Sequence, residues 1–116
     1  MPRMNTPHRF RLTEMLTSYS SRLDEIGLAV QRFGAQSLEL ELLDELAVTV
    51  DELLLTLEER RRAFGDDPLV DELVSDARQL IGIVRRRSLP QERLAGATSD
   101  VIFKIGRVVH ADKQAA

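Results

Sequence analysis

From Leu43 to Ala63 the chain reads LDELAVT, VDELLLT, LEERRRA. Leu43, Leu46, Val50, Leu53 and Leu57 fill the first and fourth places of a seven-residue repeat, the spacing that keeps apolar side chains on one seam of a helix. Arg60 occupies the next place of that seam. An arginine at a core position predicts a frayed, solvent-wet helix end there. Each heptad opens with an apolar residue, two acids and, until Arg60, a second apolar residue. The same phrase recurs at Leu23-Asp24-Glu25-Ile26 and Val70-Asp71-Glu72-Leu73.

Working outward from the repeat, the apolar positions Leu12, Leu16, Tyr19, Leu23, Ile26, Val30 and Phe33 alternate steps of four and three, a helical stripe ending before Gly34. Ser37 can cap the second helix, and the acids Glu39 and Glu41 follow in its first turn, where the helix dipole favours them. Asp66-Asp67-Pro68 is a start signal for a third helix burying Val70, Leu73, Ala77, Leu80 and Val84. Ser88-Leu89-Pro90-Gln91 has the outline of a capping box. The fourth stripe is Leu94, Ala97, Val101, Ile105 and Val108, with Gly96, Thr98 and Ser99 weakening it enough to suggest a break near Ser99.

Short connections between long helices force neighbours antiparallel, so the sequence predicts an all-α, up-and-down antiparallel four-helix bundle with helices near 10–33, 37–64, 67–87 and 89–110. Residues 10–110 would be one domain, between a flexible basic N-terminal arm (1–9) and a flexible tail (111–116). The second helix, the longest of the four, should overhang at one end.

The 116 residues carry no cysteine, two histidines and a net charge of −3. Thiolate chemistry and disulfides are excluded, and with neither a membrane-length apolar run nor a signal-peptide core the chain reads as cytoplasmic. Fourteen arginines against two lysines fit a GC-rich, bacterial coding bias. Eight acids and no base lie between Ser37 and Glu59, whereas Arg3, Arg9, Arg11 and Arg22 face Glu14 alone in the first 22 residues.

On the wheel of the repeat, Asp44, Glu45, Asp51, Glu52, Glu58 and Glu59 flank Val48 and Leu55 on the side away from the seam. A solvated acidic face explains this row, but so does an acidic channel with two apolar anchors. The second possibility makes Asp44, Glu45, Val48, Asp51, Glu52, Leu55 and Glu59 a protein-binding surface for a basic amphipathic helix, from a second copy in a homodimer or from another protein. The expected function is then a non-enzymatic adaptor, chaperone or assembly subunit. The alternative is a nucleoprotein subunit touching nucleic acid through Arg85, Arg86, Arg87, Arg93, Lys104 and Arg107.

No catalytic residue, metal site or cofactor is expected. Neither His8 nor His110 has the carboxylate three residues earlier that bundle metal sites use, and no phosphate loop or nucleophile elbow occurs. His110 and Lys113 have a His-x-x-Lys spacing used in phosphotransfer bundles, but they stand too near the chain end for a firmly held nucleophile.

Overall fold

The computed structural model describes residues 2–33, 40–86 and 91–115, all but Gly65–Asp67 in four helices: α1 (Pro2–Phe33), α2 (Leu40–Phe64), α3 (Pro68–Arg86) and α4 (Gln91–Ala115). The ion pairs set their directions. Arg11 meets Glu59 and Arg22 meets Glu52, so α1 rises as α2 falls. Arg61–Asp71 with Arg85–Asp51, and Glu72–Arg107 with Asp76–Lys104, reverse the next two pairs in the same way. Helices α1 and α4 close the ring. The result is the antiparallel four-helix bundle, 51 × 20 × 20 Å.

All five seam positions of the repeat point inward, Leu43 at the edge and Leu46, Val50, Leu53 and Leu57 fully buried. They meet Leu16, Leu23 and Ile26 of α1, Leu73, Ala77 and Leu80 of α3, and Val101, Ile105 and Val108 of α4 in one core. The buried hydroxyls Tyr19, Thr56 and Thr98 beside this core have hydrogen-bond partners. Tyr19 Oη and Thr56 Oγ1 lie 3.0 Å apart, and Thr98 donates 2.8 Å to the Leu94 carbonyl.

The turn chemistry between α2 and α3 follows the sequence. Gly65 takes φ +86°, and its N–H still reaches the Arg61 carbonyl at 2.9 Å, ending α2 with the left-handed residue that glycine alone adopts without strain. Asp67 Oδ1 accepts the Leu69 N–H at 3.0 Å, capping α3 ahead of Pro68. The Ser37 cap, the Gly34 stop and the Ser88–Pro90 part of the capping box lie outside the described residues.

Four features depart from the sequence expectation. Helix α4 is continuous through Ser99, because the Thr98 hydroxyl is absorbed by its own helix and the stripe Leu94–Val101–Ile105 crosses the site without a gap. It also runs on past 110 to Ala115. Helix α1, at 32 residues or about 48 Å, replaces α2 as the longest. It begins at Pro2 and passes the end of α2, whose last residue, Phe64, packs against His8. Finally, Arg60 is not at a wet, frayed end but 5% exposed.

What Arg60 requires is a counter-charge, and α4 supplies it from 52 residues away. Asp112, 6% exposed, accepts Arg60 Nη1 at 2.6 Å on Oδ2 and Nη2 on Oδ1. The Thr13 hydroxyl of α1 adds a 2.8 Å hydrogen bond to Oδ2. The pair thus joins diagonal helices that do not pack side by side. Removing one member of such a pair strands the other charge, at a cost of about 3–5 kcal/mol, whereas replacing both by apolar residues is neutral or better. Urea unfolding should show Asp112→Ala destabilised by that amount, while Arg60→Met with Asp112→Leu returns to at least wild-type stability. In the double variant the one Thr13 hydroxyl hydrogen turns to the Arg9 carbonyl, 2.9 Å away.

Candidate interaction surfaces

The outer side of α2 is built as the repeat dictates. With the seam turned inward, Val48 and Leu55 are 55% and 66% exposed, two helical turns apart. Asp44, Glu45, Asp51 and Glu58 are exposed around them, and Glu52 and Glu59 are half-buried toward α1. All seven residues of the expected protein-binding set therefore share one side of one helix.

Their charges are engaged to different degrees. Arg22 Nη1 donates to Glu52 Oε2 at 3.0 Å, Arg85 lies 3.4 Å from Asp51, and both His8 and Arg11 lie 3.7 Å from Glu59 Oε1. Asp44 also has an interaction within the chain. Glu45 and Glu58 make no ion pair among the described residues. The engaged contacts are solvent-exposed pairs of a kind worth about 0–1 kcal/mol each, so an incoming cation can exchange into them.

Cations of the expected nucleic-acid edge are engaged by the same kind of pairing. Arg85 turns to Asp51, Arg107 Nη1 donates 3.3 Å to Glu72, and Lys104 Nζ sits 2.7 Å from Asp76. Arg86 and Arg93 are exposed, and Arg87 lies outside the described residues. Three of the six cations thus face carboxylates of α2 and α3 rather than a common groove. A titration of the protein against single-stranded RNA at low salt should give no salt-sensitive binding, and Arg85→Glu with Arg86→Glu should leave that null result unchanged.

Lys104 is held charged. The hydrogen bond that it donates to the Asp76 carboxylate raises its pKa above the ordinary 10.5, against a smaller opposing effect of desolvation. A raised lysine pKa means that the ion pair's contribution is complete below about 10.5 and is lost as pH rises through the folded value. Lys104→Met should therefore be less stable than wild type at neutral pH, and thermal unfolding curves of the two should converge in strong alkali.

Sequence reasoning passed over a second set of exposed apolar residues, Phe10, Leu28 and Phe103. The wheel that found Val48 and Leu55 finds these too, since all three fall off the stripes of their helices. Leu28 borders a shallow groove between α1 and α4, with Asp24, Ala95, Ser99 and Ile102. Helix α3, by contrast, turns polar side chains such as Ser75, Arg78, Gln79 and Arg86 outward. His110 is exposed on α4, and His8 packs its ring 5.8 Å from that of Phe64. Among the described residues, no three His, Asp or Glu side chains converge as a metal site would need, and no helix is long and apolar enough to cross a membrane. Comparison with protein-family models, curated proteins and solved structures finds no match.

Proposed function

We propose that this chain is a non-enzymatic protein-interaction module, an adaptor, chaperone or assembly subunit, that receives a basic amphipathic helix on the outer side of α2. The observation that carries this is the exposure of Val48 and Leu55 in a helix whose seam residues Leu46, Val50, Leu53 and Leu57 are fully buried. Two anchors seven residues apart, about 10.5 Å along the axis, match the spacing at which a partner helix repeats its own apolar seam.

The flanking charge selects the partner's chemistry. A second copy offering the same face would bring Glu45 and Glu58 against like charges in either orientation, whereas a helix with lysine or arginine beside its seam would meet opposite charge throughout. Full burial of the two anchors contributes about 1.5–3 kcal/mol each, which supports a modest, reversible affinity rather than a permanent complex.

The test uses a synthetic leucine–lysine helix of about three heptads in register, titrated by fluorescence anisotropy. Wild-type protein should bind it, and Val48→Ser with Leu55→Ser should weaken binding at least about tenfold, the factor set by 1.4 kcal/mol, with unchanged helical circular dichroism. Equal binding by the variant, or by a peptide of the same composition without the heptad register, would rule out this surface as the recognition element.

A further inference from the structure

Helices α2 and α3 pair their charges at two levels. Arg61 lies 3.6 Å from Asp71 near the start of α3, and Arg85 lies 3.4 Å from Asp51 near its end. Asp71, Arg78 and Arg85 stand seven residues apart and so share one row of α3, the row turned toward α2. Arg78 is its middle member. Halfway between Arg61 and Asp51 on the antiparallel α2 are Leu55 and Thr56, which sets the level of Arg78. The side chain that α2 places on the Arg61 row there is Leu54, two turns before Arg61, so no carboxylate of that row stands opposite. Arg78 is exposed and makes no ion pair among the described residues.

What the mismatch leaves is a cleft of about 460 Å³, lined by Arg61, Asp71, Val74, Ser75, Arg78 and Gln79. Arg61 is offset there by Asp71 and, at 3.5 Å, by Asp66. The uncompensated charge of the cleft is therefore that of Arg78. Ser75 and Gln79 lie one turn apart beside it, and neither side chain has a hydrogen-bond partner among the described residues. A guanidinium fork, a hydroxyl and an amide NH2 together suit an acceptor that carries negative charge.

We infer that this cleft takes a carboxylate carried by the partner helix of α2, which presupposes a helix seated on Val48 and Leu55. The residues beside the seam of a docked helix reach over the flanks of the helix beneath it. At the level of Leu55 the flank toward α3 comes to Arg78, whereas the flank toward α1 comes to Glu52 and Glu59. A single exposed guanidinium holds a free anion weakly, so its carboxylate is one delivered at high effective concentration by a chain already bound. The acids of α2 ask for lysine or arginine, and α3 asks for one acid. A helix carrying both fits in one register and one direction.

The test scans the leucine–lysine helix, replacing each flank lysine in turn by glutamate and by glutamine and following binding by fluorescence anisotropy. With wild type, glutamate should bind more weakly than glutamine at positions over the acids of α2 and about two- to fivefold more tightly at one position. Arg78→Gln should abolish that one preference while leaving the affinity of the unsubstituted helix within about twofold, and Arg78→Glu should make lysine the preferred residue there. If the unsubstituted helix binds but no position prefers glutamate, or the preference survives Arg78→Gln, the cleft inference is overturned and the α2 surface stands. Failure of the unsubstituted helix to bind overturns both. Calorimetric titration with inorganic phosphate should show no saturable binding; saturable binding that Arg78→Gln removes would make the cleft a free-anion site and overturn delivery by a helix.

Discussion

A helix in a four-membered ring can turn away from water only the arc that faces its two neighbours and the central core. In α2 that arc is filled by Leu46, Val50, Leu53 and Leu57, with Ala47 and Leu54 at its edge. Val48 and Leu55 have no place left in it. The neighbours α1 and α3 draw close enough to pair with Glu52 and Asp51 at the flanks, and no described side chain reaches far enough round to cover the outer row. The same limit leaves Leu28 and Phe103 outside the arcs of α1 and α4, whereas α3 has no apolar residue to spare. The distribution of candidate surfaces thus follows from how many apolar residues each helix carries beyond what its arc can hold.

The Arg60–Asp112 pair is the counterexample within the seam, a charge placed where a leucine belongs by register. Its guanidinium caps the apolar column of α2, 5.9 Å from the centre of the Phe64 ring, and Arg9 lies over the same ring at 4.6 Å. An apolar pair of similar size would hold this end at least as firmly. What the ion pair adds is direction. A bidentate contact satisfied at both oxygens tolerates one relative placement of α2 and α4, and Thr13 extends that condition to α1.

Much of this was legible in the sequence because helical period and capping are local. The seam of α2, the Asp67–Pro68 start and the Gly65 stop depend on residues a few positions apart. The sense of the bundle follows from loop length. Arg60 was misread for the opposite reason: its partner lies 52 positions away, and the register that names it a core position says nothing about a carboxylate on α4. Helix α4 was similarly underestimated, since Gly96, Thr98 and Ser99 lower intrinsic propensity while tertiary packing across Gly27, whose added Cβ would lie 3.8 Å from Thr98, holds the segment helical. Phe103 and Leu28 could have been found by the wheel that found Val48, had it been applied to every stripe rather than to the repeat alone.

The outer side of α2 is acidic and suited to a cationic helix. That reading rests on the placement of the outer row of α2 in water, and the placement can be measured directly. With methyl-labelled protein and a soluble paramagnetic agent, the account predicts strong broadening of the Val48 and Leu55 methyl signals while those of Val50, Leu53 and Leu57 stay sharp. Val48 and Leu55 methyls as protected as those of the seam would contradict it.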